Sequence, residues 1–168
     1  MSNGNFAYRI GRKPTGTVLE IAAFGWPPRG TAFADWPTAP GAMLRDAAKQ
    51  PALLHFAPAR WLAPDPAPAM RTLLDAAASA GGGTVIDVSG KWEALSIVGP
   101  GASRLLACAI DIEAVLEGRD CVAVVLFDCP AIVARAVDGF AVWVQASYAT
   151  NFMATAAHSG ATLARGLA

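Results

Sequence analysis

The sequence predicts an α+β fold in which two similar ferredoxin-like α/β halves surround a mostly antiparallel sheet. Three observations lead to this class. Short apolar runs are bounded by Gly, Pro and Asp residues, which is typical of β-strands. Two Ala-rich segments carry apolar residues at helical spacing. Asp138-Gly139 separates two extended runs and is a strong signal for a β-hairpin.

The length favours one domain. The chain has 168 residues, enough for a single compact unit with a substantial core. We expect a loose N-terminal arm over residues 1–15, a first α/β half over 16–83 and a second over 84–168. The halves echo each other, because each follows an apolar strand with an aromatic residue and an Ala-rich helix that contains Met70 or Met153.

The first half is predicted to contain strands over residues 17–24 and 53–57, with a short helix over 42–49 between them. A longer helix is expected over residues 66–80. An Asp-Pro pair suits its start, since Asp can cap a helix and Pro fits its first turn. Three consecutive glycines then end it, because glycine tolerates a left-handed backbone.

The second half opens on residues 86–108, which hold a strand, a Gly-Pro-Gly turn and the start of a helix. The predicted elements are strands over 84–88 and 92–98, a helix over 102–109, strands over 121–127, 132–137 and 140–145, and a helix over 148–163. The N–H groups of the turn could hold an anion weakly. Because Pro100 lacks an N–H, we interpret this segment as a tight strand-to-helix turn.

The tryptophans allow two interpretations. Trp26 and Trp36 lie in a proline-rich stretch, residues 25–41, which reads as a surface loop because tandem prolines cannot continue a central strand. Either both pack on the core and hold the loop, or one or both anchor a partner, since Trp is enriched in binding hot spots. Trp92 and Trp143 are predicted to be core residues of the sheet, with an aromatic ligand box as the alternative.

No catalytic, cofactor-binding or metal-binding residue is predicted. A hydrolytic triad needs a histidine, and the chain has only His55, in an apolar strand, and His158, on an Ala-rich helix. The three cysteines, Cys108, Cys121 and Cys129, form no C-x-x-C pair, so we expect reduced packing residues. The acidic residues are scattered, which does not favour a metal site.

The composition is apolar, with 54% hydrophobic and 15% charged residues, where about 25% charged is usual. Either the exposed surface is poor in charge, or a partner normally covers part of it; an apolar, weakly charged surface tends to be an interaction surface. The 13 basic and 13 acidic residues balance and form no basic run, so neither nucleic acid nor an anionic membrane is an expected ligand. Because no apolar run could span a bilayer and the N-terminus does not resemble a signal peptide, we expect a cytoplasmic location.

Much of the chain follows one long pattern. Its central part is Asp87-Val88-Ser89 followed by Trp92-x-x-Leu95-x-Ile97-x-Gly99-Pro100-x-Ala102-x-x-Leu105-Leu106. It continues through Asp111-Ile112, Gly118, residues 122–127, Val133-Ala134-Arg135, Asp138-Gly139-Phe140 and Ser147-Tyr148-Ala149, and residues 56–62 precede it. This pattern, which spans residues 53–163, resembles the gamma subunit of heterotetrameric sarcosine oxidase. Its positions are structural ones.

The resemblance implies a fold related to the folate-binding domain of glycine-cleavage aminomethyltransferases. It also implies a heterotetrameric flavoenzyme that oxidatively demethylates sarcosine, or a related N-methyl amino acid, to glycine, hydrogen peroxide and a one-carbon unit. Larger subunits would hold the flavins, the NAD and the tetrahydrofolate. This chain would bind no cofactor and would have no active site of its own.

Two other functions stay open at this point. The chain could be a small stand-alone binding protein for folate or another one-carbon carrier, or a structural interaction module of an unrelated assembly. Residues 26–40, rich in Pro and Trp, lie outside the resemblance.

Overall fold

Ten strands and four α-helices form the part of the chain that the computed structural model describes, residues 7–14, 16–23, 36–79 and 83–166. The strands are β1 (Arg9–Arg12), β2 (Val18–Ala23), β3 (Met43–Arg45), β4 (Pro51–Ala57), β5 (Arg60–Pro64), β6 (Gly83–Asp87), β7 (Trp92–Val98), β8 (Cys121–Leu126), β9 (Cys129–Ala136) and β10 (Gly139–Gln145). The helices are α1 (Pro68–Ser79), α2 (Ala102–Leu106), α3 (Ile112–Val115) and α4 (Ala149–Gly166), the last preceded by a 3₁₀ turn, Ala146–Tyr148.

The strands build two antiparallel five-stranded sheets. The first sheet has the order β1-β7-β10-β9-β8, and the second has the order β3-β4-β5-β2-β6. Every strand pair in both sheets is antiparallel. The predicted α+β class, with antiparallel pairing and two halves, is confirmed.

The sheets pack face to face between two layers of helices. Leu74 and Ala77 of α1 are buried against the outer face of the second sheet. Helices α2, α3 and α4 cover the outer face of the first sheet, where Leu105 and Phe152 join one apolar cluster. A third cluster lies between the sheets. The four layers leave both sheets with apolar residues on each face.

Strand β10 shows how the sequence produces this layering. Phe140, Val142 and Val144 belong to the cluster under the helices, whereas Ala141 and Trp143 belong to the cluster between the sheets. Successive side chains of a strand point to opposite faces. A continuous apolar run therefore places one set of side chains in each of two cores, as a strand covered on both faces requires.

Two turns connect the last three strands. The predicted β9–β10 hairpin is confirmed: Ala136 pairs with Gly139 across a two-residue loop, and Gly139 has φ 146°, which favours glycine. The β8–β9 hairpin is equally tight, since Phe127 and Asp128 both have left-handed backbone angles, φ 48° and 62°. Two consecutive positive φ values are the signature of a type I′ turn, whose twist matches that of the flanking strands.

Three predictions for local structure differ from the structure. The helix predicted over residues 42–49 is wrong, because Met43–Arg45 forms β3 on the edge of β4; so short a segment gains little as an isolated helix. Residues 1–15 are not all a loose arm, since Arg9–Arg12 forms β1 through main-chain bonding to β7. No helix was predicted between residues 109 and 121, but this segment contains α3, whose first turn is capped by Asp111 Oδ1, which accepts the Ala114 N–H at 3.2 Å.

Each half also contributes one strand to the sheet of the other half. Strand β6 pairs with β2 and so completes the sheet of the first half, although the predicted boundary between the halves falls at the start of this strand. Ser89 and Gly90 lie in a turn between the two predicted strands, after which β7 enters the other sheet. Strand β1 contributes to the sheet of the second half in the same way.

Candidate functional site

A cavity of about 580 Å³ opens at one end of the interface between the sheets. Its floor is the inner face of the first sheet, where Ala94, Ala141 and Trp143 lie side by side, and α1 forms one wall with Met70 and Leu73. The small side chains on the floor leave the space that large ones would fill. A cavity of this size with apolar walls is typical of sites for small molecules.

Charged and polar side chains line the same cavity. They are Lys13, Arg45, Asp46, Gln50 and Asp65. No histidine or cysteine is among the lining residues.

A buried carboxylate joins the sheets at another place. Glu20, only 4% exposed, points from β2 toward the first sheet, where Lys91 Nζ lies 2.8 Å from Glu20 Oε2. Arg60 of β5 pairs with Glu20 Oε1. Both cations are half exposed, with side-chain exposures of 42% and 49%. This cluster was not predicted, although a single Glu in the apolar run of β2 was a signal that the carboxylate needs partners.

The two histidines lie in different layers. His55 is buried in β4 and stacks on Trp61, whereas His158 is exposed on α4. Burial lowers the pKa of His55 below 6.5, against a smaller opposing effect of nearby backbone groups. Neither ring nitrogen of His55 has a hydrogen-bond partner within the described residues. The neutral form is therefore favoured, and His55 is a core residue here.

The three cysteines are free, as predicted, but only two of them are the buried packing residues that we expected. Cys108 is exposed, while Cys121 and Cys129 are buried. Burial, with a smaller contribution from the charge of Asp120, raises the pKa of Cys121 to about 12. A thiol with this pKa is not a nucleophile near neutral pH. Among the described residues, no group of three His, Cys, Asp or Glu side chains could hold a metal ion.

The Gly-Pro-Gly segment is a tight turn, as the missing donor of its proline indicated. The Gly99 N–H donates to Asp138 O at 3.0 Å, and the Gly101 N–H donates to Ala7 O at 3.0 Å. Gly99 has φ 108° and lies against the backbone of Ala7. Because these donors are already used, the turn has little to offer an anion.

The tryptophans that the structure describes pack in the cores. Trp36 is buried in the cluster between α1 and the second sheet, and Trp26 lies outside the described residues. Trp92 and Trp143 are buried between the sheets. Trp143 is thus a core residue, as predicted, and it also lines the cavity.

No helix within the described part of the chain is long and apolar enough to cross a membrane. Neither a scan against protein-family models nor a search of curated proteins finds a match. Among solved structures, the chain is similar to one chain of the heterotetrameric sarcosine oxidase from Corynebacterium sp. U-96, solved with pyrrole 2-carboxylate. The TM-score is 0.76 at 21% identity, over 95% of this chain and 86% of that chain. At this identity, the similarity shows that the two chains share a fold.

Proposed function

We propose that this protein is the gamma subunit of a sarcosine-oxidase-like flavoenzyme complex that oxidatively demethylates sarcosine or a related N-methyl amino acid. The observation that carries the proposal is the shared fold with a chain of heterotetrameric sarcosine oxidase, which extends over 95% of this chain. A fold alone does not determine function. The proposal therefore also rests on the motif pattern and on the surface.

The motif pattern supports the proposal through the positions that it occupies. Leu95, Ile97, Ala102, Leu105 and Leu106 are all buried in the cluster between the first sheet and its helices. The pattern that resembles the gamma subunit is thus the pattern that builds this half of the fold. The pattern consists of structural positions, and within this proposal we assign it no catalytic role.

The surface supports a role in assembly. Strand β8 is an edge strand of the first sheet, and its sequence, CVAVVL, contains no charged residue or proline. Natural edge strands are usually protected by such residues. Among the residues that the structure describes, four large hydrophobic side chains are also exposed: Ile86, Val125, Val137 and Tyr148. An apolar edge strand without charge is suited to pairing with another chain, and the exposed apolar side chains are compatible with a partner surface.

Within this proposal the cofactors belong to the partners. Larger subunits would hold the flavins, the NAD and the tetrahydrofolate, and this chain would hold none of them. Its contribution would be to the assembly and stability of the complex.

The test is co-expression of the tagged chain with candidate larger subunits from the same host. We expect co-purification of a complex with one copy of this chain, measured by native mass spectrometry, and a flavin absorbance spectrum. The complex should form hydrogen peroxide from sarcosine, and the purified chain alone should not. A chain that elutes alone in the presence of those subunits would contradict the proposal.

A further inference from the structure

We propose that the cavity between the sheets is a binding site for a small apolar molecule with an aromatic ring system and one anionic group. This inference does not depend on the proposed function. It rests on the shape of the cavity, on its apolar walls and on one lysine at its mouth.

The walls require an apolar ligand body. Trp143 offers an aromatic surface next to Ala94, its register partner on β7, and Met70 and Leu73 face them from α1. Pro64, at the end of β5, adds a further apolar surface. Planar rings pack well against such walls, because aromatic pairs gain from offset stacking in addition to the area that they bury.

The mouth supplies a cation in a defined position. The Lys13 N–H donates to Ala94 O at 2.8 Å, so the main chain of Lys13 is held against the floor strand. Its Nζ reaches the Gln50 side-chain oxygen on the opposite side, at 3.4 Å. Gln50 is itself held, because its N–H donates to Asp46 Oδ1 at 2.8 Å. Lys13 and Gln50 thus bridge the mouth.

Lys13 is the cation available to a ligand. It makes no ion pair with any residue that the structure describes, and its amide partner is a weaker acceptor than a carboxylate or sulfonate. Arg45, the other cation at the cavity, pairs with Asp120 at 3.7 Å and donates to Lys49 O. An anionic ligand group would therefore replace Gln50 as the partner of Lys13.

The two acids at the cavity do not cancel this preference. Asp46 Oδ1 accepts the Gln50 N–H, which holds this carboxylate against the backbone of the turn before β4. The carboxylate of Asp65 lies against Gly16, which does not line the cavity. Neither carboxylate lies within 4 Å of Lys13 Nζ.

The test uses two dyes with the same ring system. 8-Anilinonaphthalene-1-sulfonate is anionic, N-phenyl-1-naphthylamine is neutral, and both fluoresce when they enter an apolar site. We expect saturable binding of both dyes to the 168-residue chain. Lys13→Gln should raise the Kd of the anionic dye about fivefold, which is the effect of one partly exposed ion pair. The Kd of the neutral dye should not change.

A second variant tests the location. Ala69 lines the cavity from the exposed side of α1. The larger side chain in Ala69→Phe should fill the mouth of the cavity and weaken the binding of both dyes. The matched controls are Lys49→Gln and Ala76→Phe, at exposed positions that do not line the cavity; both should bind the dyes as the wild type does. Circular dichroism checks that each variant is folded.

Three results would overturn the inference. The first is no saturable binding of either dye by the wild type. The second is unchanged binding by a folded Ala69→Phe variant, which would place the dyes elsewhere. The third is an equal loss of affinity for both dyes in Lys13→Gln. This result would give Lys13 a structural role and remove the case for an anionic ligand.

Discussion

The imidazole of His55 stacks on the indole of Trp61, with ring centroids 4.3 Å apart and ring planes inclined by 21°. Trp61 Nε1 in turn donates to Pro37 O at 2.8 Å, which holds the chain after Trp36 against the second sheet. A histidine is therefore built into the core that secures this segment. Because burial favours its neutral form, we expect the stability of this core to depend on pH.

The first prediction follows from this pair. Burial lowers the pKa of His55 below 6.5, so the unfolded chain binds a proton more readily than the folded one. The contribution of His55 is fully present above pH 6.5 and is lost as the pH falls from there through the folded-state pKa. The free energy of unfolding, measured with urea between pH 7.5 and 5, should decrease in this window.

Two variants check the assignment to His55. His55→Phe keeps an aromatic ring on Trp61 and should flatten the pH dependence between pH 7.5 and 5. His158→Gln changes an exposed histidine, so the pH dependence of the free energy of unfolding should remain that of the wild type. The carboxyls of Asp87 and Glu113 have lowered pKa values, so their effects fall at more acidic pH. An unchanged slope in His55→Phe would contradict the prediction.

The second prediction concerns the carboxylate between the sheets. Glu20→Gln removes the charge that pairs with Arg60 and Lys91. Because both cations are half exposed and keep access to water, we expect the free energy of unfolding to fall by about 1–2 kcal/mol, less than for breaking a fully buried pair. Urea denaturation at pH 7.5 measures it. Arg71→Gln, which breaks an exposed pair with Asp75 on α1, is the control and should cost much less.

The third prediction concerns the contact between α4 and the segment before β1. A Cβ on Gly160 would overlap the hydroxyl and ring of Tyr8, which packs on the cluster under the helices. Gly→Ala in a helix normally stabilises, but here Gly160→Ala should cost about 1–3 kcal/mol through overpacking. In a Tyr8→Ala background the same change should cost nothing. Additive losses in the double variant would show that the overlap is not the cause.

The fourth prediction concerns thiol reactivity. Iodoacetamide at pH 8 should alkylate the native chain once, at Cys108, because that thiol is exposed. Cys121, with its pKa raised to about 12, and the buried Cys129 should react only after unfolding in guanidinium chloride. Mass spectrometry of the tryptic peptides identifies the sites. Rapid alkylation of Cys121 in the native chain would contradict the burial that the structure assigns to it.

The sequence by itself determined the periodic elements. Strand β7 begins at Trp92 and ends at Val98 as predicted, and α1 and α4 lie within two or three residues of their predicted bounds. The hairpin glycine, Gly139, was recognisable because its backbone angle favours one residue type. Such features depend on neighbours in the chain, so a local pattern is enough to predict them.

Only the tertiary structure decided which elements share a sheet and what lies between them. Strand β3 looked helical because its pairing with β4 leaves no periodic signal, and β1 is polar because edge pairing uses the main chain. The cavity exists because small residues on β7 and β10 face α1 across the end of the second sheet. Lys13 gains its position in the same way, from a main-chain bond to Ala94. Contacts between segments this far apart in the chain are set by packing, and no local pattern records them.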